Sequence, residues 1–187
     1  MTDSAHTSLV IQIAFHGPFR VETGAASDGL DATYRLENPL PASSLKGLMR
    51  AQASTVLGVA PSVVDEVYGS AQAGSPWRWS DASIEDAREM VRTSVRIDPK
   101  TGTALGGALR TAGELWPVSG RFEVRRRGSV PAERHPQHLA VLAASARAIT
   151  ALGADRRRGL GWVSLTPDLP WDDTQRELLL AARMCDG

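Results

Sequence analysis

The sequence predicts an α+β chain whose elements run strand, helix, strands, strand, helix, strand. Three observations carry that prediction. Residues 43–58 and 137–152 repeat apolar side chains at i, i+3, i+4 and i+7, the period of a half-buried helix. Runs of β-branched or alternating residues lie before, between and after these two segments. The 187 residues are 42% hydrophobic and 22% charged, which suits a single domain over 1–187, with 166–187 as a C-terminal extension. A chain of this size buries about 70% of its unfolded surface and needs neither disulfide nor zinc to fold.

Residues 8–15 (SLVIQIAF) read as a buried strand, interrupted by His16-Gly17-Pro18 and continued at an edge by Phe19-Arg20-Val21-Glu22. Residues 23–41 carry Gly, Ala, Asp and Pro without a helical period. They form a long loop, and loops of that length are more often functional than idle. The helix over 43–58 has Leu45, Leu48, Met49, Gln52, Val56 and Leu57 on its stripe, with Ser43 or Ser44 as the cap. Lys46 and Arg50, four apart, share one flank. A short helix over 61–68 ends at Gly69, and 76–80 has strand character. Val91, Thr93, Val95 and Ile97 alternate with Arg92, Ser94, Arg96 and Asp98, the pattern of a half-buried strand. Pro99-Lys100-Thr101-Gly102 then turns the chain, and further strands are expected at 115–117 and 121–125. The helix over 137–152 buries Leu139, Leu142, Ala143, Ala146 and Ile149 and ends at Gly153. Residues 162–165 supply a closing strand and 171–184 a last helix. The order is the βαββαβ plan of the ferredoxin-like fold, with insertions between elements.

Composition excludes several classes. A single cysteine, Cys185, rules out an intrachain disulfide framework and any multi-thiolate zinc site. No apolar run approaches the ~20 residues that span a bilayer. The polar start, residues 1–7, lacks a signal-peptide pattern, so a soluble, cytoplasmic protein is expected. Net charge is zero, yet residues 120–160 hold nine arginines against Glu123, Glu133 and Asp155. Such a concentration points to a polyanionic partner, although a GC-rich genome would also favour arginine. Lys46 and Lys100 are the only lysines, so nearly every positive charge is a guanidinium, which suits bidentate phosphate contacts.

Gly153 to Gly161 (GADRRRGLG) sets Arg156, Arg157 and Arg158 between glycines, with Gly159 and Gly161 after them. Glycines permit close backbone approach and arginines grip phosphate; a solvated basic turn would have the same composition. Pro41 to Arg50 (PASSLKGLMR) brings Ser43, Ser44, Lys46 and Arg50 to a helix start, where backbone N–H groups attract phosphate; an ordinary capped helix looks the same. Asp28 and Asp31 lie in the loop before that helix, able to hold Mg²⁺, to act on a hydroxyl, or only to be solvated. His135 and His138 have the i, i+3 spacing of a metal pair without a third ligand, and fit a helix start equally well. His16 follows a strand and could serve as a general base. The five tryptophans fit core and interface better than base stacking.

Taken together these segments resemble the RAMP superfamily of CRISPR effector complexes. Pro41 to Gly47 is similar to its PGSSLKG motif, and Tyr68-Gly69-Ser70 to the FGS that follows. Trp79 to Ala82 resembles the strand ending in DA. Val95 to Ala104 resembles the IDRxTGTA segment, and Gly153 to Gly161 the glycine-rich loop before the last strand. The likeness covers residues 8–165 and is strongest to the repeated backbone subunit of type III complexes. It implies a modified ferredoxin-like (RRM-like) core with a thumb-like hairpin that kinks the guide–target duplex. It implies copies stacked along a CRISPR RNA beside other effector subunits, with the SSLKG helix start and the glycine-rich loop on the RNA backbone. It implies Mg²⁺-dependent cleavage of target RNA by a loop aspartate, matched here by Asp31 in Gly29-Leu30-Asp31-Ala32, with Asp28 second. A non-catalytic structural or capping subunit, and a CRISPR RNA-processing endonuclease with His16 as base, remain open beside it.

Overall fold

The computed structural model describes residues 7–19, 40–153 and 159–184, and only the backbone at 106–110 and 112. Strand β1 (Ser8–Phe15) opens the core. Helices α1 (Ala42–Ala51) and α2 (Pro61–Tyr68) follow, then strands β2 (Trp77–Trp79) and β3 (Ser83–Glu85). A hairpin of β4 (Arg88–Ile97) and β5 (Ala104–Trp116) leads to β6 (Ser119–Arg126). Helix α3 (His135–Arg147), strand β7 (Val163–Pro167) and helix α4 (Asp173–Arg183) complete the chain.

The main sheet runs β2-β6-β1-β7, every pairing antiparallel, with β3 also on β6. The third core strand, β6, lies between the first and the second, which is the split βαβ arrangement of the ferredoxin-like plan. Period-two alternation in β1 sends Leu9, Ile11 and Ile13 inward, each at most 1% exposed, and Gln12 outward. Phe122 and Val124 of β6, Trp77 and Trp79 of β2, and Val163 and Leu165 of β7 point the same way. Leu45 and Met49 of α1, with Leu139 and Leu142 of α3, close that face. Each such side chain contributes about 1.5–3 kcal/mol by leaving water.

Several expectations change. Helix α1 begins at Ala42 with Pro41 as its N-cap and no side-chain cap, so neither Ser43 nor Ser44 caps it. Beyond Ala51 the helix widens into a π turn over Gln52–Val56, where the Leu57 N–H donates to the Gln52 carbonyl at 2.9 Å. The Ser54 and Thr55 hydroxyls donate to the Arg50 and Ala51 carbonyls, competition for backbone acceptors that loosens a helix end. Helix α3 stops at Arg147, short of Gly153, because Ala151 is drawn into a bridge with Trp162. Of the edge continuation, Phe19 is placed, in a bridge to Leu115, and residues 20–22 lie outside the described residues, as does the expected loop apart from Leu40 and Pro41. The alternation over 91–98 predicts a half-buried strand, but every residue of β4 is exposed, Val91 by 63%. Their alternation is real, but the hairpin projects from the sheet and neither face of β4 meets the core. At about 3.3 Å per residue, ten-residue β4 reaches roughly 33 Å. Its turn holds Asp98, which accepts the Lys100 N–H at 2.8 Å, and Gly102 at φ 68°.

Candidate nucleic-acid interface

Two backbone features define the candidate interface. The first is the start of α1. The first turn of any helix has amide N–H groups with no intrahelical acceptor, and an anion is favoured beside them. One of these groups is already engaged: Ala42 N–H donates to the Asp81 carboxylate at 2.7 Å. Asp81 stands just past β2, held there by Ser80 N–H to the Glu123 carbonyl and Ala82 N–H to the Leu40 carbonyl. Ser44 and Lys46 are half-buried, and Ser43 is exposed. The Lys46 ammonium sits 5.5 Å from the centroid of the Trp79 ring. Arg50 turns away from the helix start, donating to the Gly69 carbonyl and pairing with Asp65 at 2.7 Å. Its guanidinium therefore ties α1 to α2, with 42% of the side chain still exposed.

The second feature is the base of the glycine-rich loop. Gly161 N–H donates to the Pro18 carbonyl and the Leu152 N–H to the Gly161 carbonyl, both at 2.7 Å. Gly161 has φ 74°, and a Cβ there would land on the Leu152 carbonyl oxygen, so only glycine fits. Gly159 has φ 83° and faces open space. Arg156, Arg157 and Arg158 lie outside the described residues, as do Asp28 and Asp31. The segment that carries the two aspartates is nonetheless bracketed. It leaves the described chain beside the Pro18–Gly161 junction and re-enters at Leu40, next to Asp81 and the start of α1.

Among the described residues no three His, Cys, Asp or Glu side chains converge on a metal position. The His135/His138 pair is structural. His138 is 3% exposed at its side chain; its Nδ1 accepts the Trp77 indole N–H at 3.1 Å and its Nε2 faces Glu66 at 3.4 Å. His135 stacks on the Trp77 ring, centroids 5.6 Å apart. His16, by contrast, is exposed, and its Nε2 lies 2.8 Å from the Ser164 hydroxyl. Of the tryptophans, Trp77 and Trp79 are core, whereas Trp116, Trp162 and Trp171 are 40–59% exposed.

Asp81 as the partner of α1 was not legible in the sequence, since 39 positions separate it from Ala42. The outward row on β6 was: Arg121, Glu123, Arg125 and Arg127 alternate at period two against buried Phe122 and Val124.

The RAMP superfamily model matches residues 33–164, and the chain belongs to that superfamily. No curated protein matches it. Among solved structures, a chain of the type III-B Cmr-beta complex bound to cognate target RNA is similar in fold. The TM-score is 0.65 at 11% identity, over 91% of this chain and 98% of that one. A chain of the same complex in its apo state gives a TM-score of 0.65 at 11% identity, over 86% and 97%. The fold class read from element order is thus that of the family. No helix among the described residues is long and apolar enough to cross a membrane.

Proposed function

We propose that the chain is the repeated backbone subunit of a type III CRISPR effector complex, which grips CRISPR RNA and cuts complementary target RNA. The observation that carries the reading is the pair of family motifs, the SSLKG helix start and the glycine-rich loop, bracketing the segment that holds Asp31 and Asp28. The likeness to a subunit of Cmr-beta bound to cognate target RNA supports the partner class. Backbone N–H groups at the start of α1 and in the glycine-rich loop, with Lys46 and Arg156 to Arg158, suit sequence-independent phosphate contacts. Cleavage would use the target's own 2′-OH as nucleophile, brought in line by distortion of the strand, with Asp31 positioning the hydroxyl or accepting its proton; a 2′,3′-cyclic phosphate forms as the P–O5′ bond breaks, and the leaving 5′-oxygen takes a proton from water. Mg²⁺ recruited by that carboxylate would supply positive charge beside the phosphate. Other effector subunits and further copies along the guide are the partners, in the cytoplasm.

The test is cleavage of a matched target by the assembled complex. Asp31→Ala is expected to abolish Mg²⁺-dependent cutting and leave guide binding intact, since one loop carboxylate adds little to an interface of arginines and amides. If Asp28→Ala alone abolishes cutting, the role moves three residues. If neither variant cuts less than wild type, the carboxylate assignment fails, and a wild-type complex that never cuts is a structural or capping subunit. The His16–Ser164 contact favours one second reading, a processing endonuclease with His16 as base. That reading requires His16→Ala to stop maturation of a guide precursor without affecting target cutting.

A further inference from the structure

The face of the sheet turned away from the helices carries a row of arginines that the helix-start and loop contacts do not use. Arg78 on β2 stands directly opposite Arg125 on β6. Arg121 lies four residues along β6 and Arg127 just past its end, and all four are exposed. Like charges directly opposed across two strands are destabilising. One carboxylate offsets them: Glu123 pairs with Arg125 at 2.9 Å. Arg78, Arg121 and Arg127 have no side-chain hydrogen bond or ion pair among the described residues.

These side chains line a continuous groove. One hollow of about 240 Å³ is bounded by Arg78, Trp79, Ser80, Glu123, Arg125 and Arg127. A second, of about 380 Å³, shares Ser80 and Glu123 with it and runs past Arg121 to Asp81, the residue at the start of α1. A protein interface needs an apolar centre with few charges. None of the exposed large apolar side chains lines this groove, and Trp79, its one indole, is 6% exposed. The groove therefore offers four guanidinium groups and hydroxyls against two carboxylates, Glu123 (paired with Arg125) and Asp81 (accepting from Ala42 N–H), without an apolar anchor and without an exposed ring for base stacking.

We propose that this outer groove along β2 and β6 binds the phosphodiester backbone of a single-stranded RNA, as a track continuous with the α1 start and indifferent to base sequence. Each guanidinium can hold a phosphate bidentately, and bound phosphate relieves the Arg78–Arg125 repulsion. The inference rests on the RNA-binding reading above and adds a second contact surface to it.

The experiment titrates a fluorescein-labelled oligouridylate with the full chain at several salt concentrations. Wild type is compared with the triple variant Arg78→Gln/Arg121→Gln/Arg127→Gln, the same triple to lysine, and Lys46→Ala. Loss of three phosphate contacts should flatten the log–log salt slope by about 2, at roughly 0.7 per contact for single strands, and weaken binding on the order of tenfold. The lysine triple should keep the wild-type slope. If the glutamine triple matches wild type in slope and affinity, the groove assignment is overturned; a drop with Lys46→Ala in the same assay leaves the α1 reading standing. If the glutamine triple fails while Lys46→Ala does not, the groove stands and the α1 contact falls. Wild type that binds no RNA overturns both. Loss of co-purifying effector subunits with RNA affinity unchanged makes the groove a protein contact and overturns the proposal. Thermal unfolding of each variant checks folding, and Arg121→Gln alone, with an expected slope change of about 0.7, serves if the triple does not fold.

Discussion

At the residue scale, the pH response of the fold is concentrated in His138. Its Nδ1 accepts the buried Trp77 N–H, so the neutral ring carries its proton on Nε2, toward Glu66. Burial is the main cause holding its pKa below the usual 6.5, with Arg134 and His135 acting the same way and Glu66 opposing. The unfolded chain regains the ordinary value and so takes up the proton first. This contribution to stability is complete above about pH 6.5 and is lost as pH falls below it. Glu66 acts in the same direction lower down: burial raises its pKa, but hydrogen bonds from Arg134 and His138 outweigh that and hold it below 4.5. The melting temperature is therefore expected to fall between pH 7 and pH 5, and to fall less in His138→Gln. The variant should itself cost about 1–3 kcal/mol at pH 7 through an imperfectly satisfied Trp77. Equal acid sensitivity in both proteins would remove His138 from this role.

At the element scale the β4–β5 hairpin is the part most separable from the core. All of β4 is exposed, and among the described β5 side chains Leu115 is the one in the hydrophobic core, where it bridges to Phe19. Glu89 lies opposite Leu115 in register, so replacing 90–114 with a two-residue turn keeps the sheet closed. Arg92 and buried Glu114, a pair at 2.9 Å, leave together, so no orphaned charge remains. Cooperative unfolding with a melting temperature within a few degrees of wild type is expected, with guide binding kept and target cutting lost. Loss of the folded state on calorimetry would mean that the hairpin supports the core. Element legibility followed the same division. β1 and α1 showed in the sequence because each has one face in a core and one in water; α3 showed through its apolar period, although the structure buries it on nearly every side. The hairpin's extent did not, because alternation alone does not say whether an apolar row meets a core. Three-residue β3 is too short to carry a period. The α1 start and Gly161 were legible from residue type, whereas the engagement of Arg50 by Asp65 and Gly69 was not, since it depends on where α2 packs.

At the scale of the whole molecule, a module of this size covers only a few nucleotides, of the order of 4–16 for a comparable single-domain strand binder. On the proposed backbone role, length along a guide would come from repetition. Light scattering with guides of increasing length, in the presence of the partner subunits, is expected to show particles whose mass rises in steps with RNA length. A single fixed mass for every guide would count against a repeated backbone role. Apolar side chains on the hairpin, Val91, Val95 and Ile97, are 46–63% exposed and are available to bury against a neighbour in such a row.

The central position of β1 has a consequence for biosynthesis. Its strand partners begin at Ser119 and Val163, so residues 8–15 leave the ribosome more than a hundred residues before anything can pair with them. At about 5–20 residues per second this apolar strand waits on the order of 5–20 s with both edges open. The β4–β5 hairpin, whose partners are adjacent in sequence, can close in microseconds meanwhile. Nascent chains are therefore most vulnerable to aggregation or chaperone capture before β6 emerges, and truncations ending ahead of Ser119 should be insoluble, although they already contain two helices and the entire hairpin.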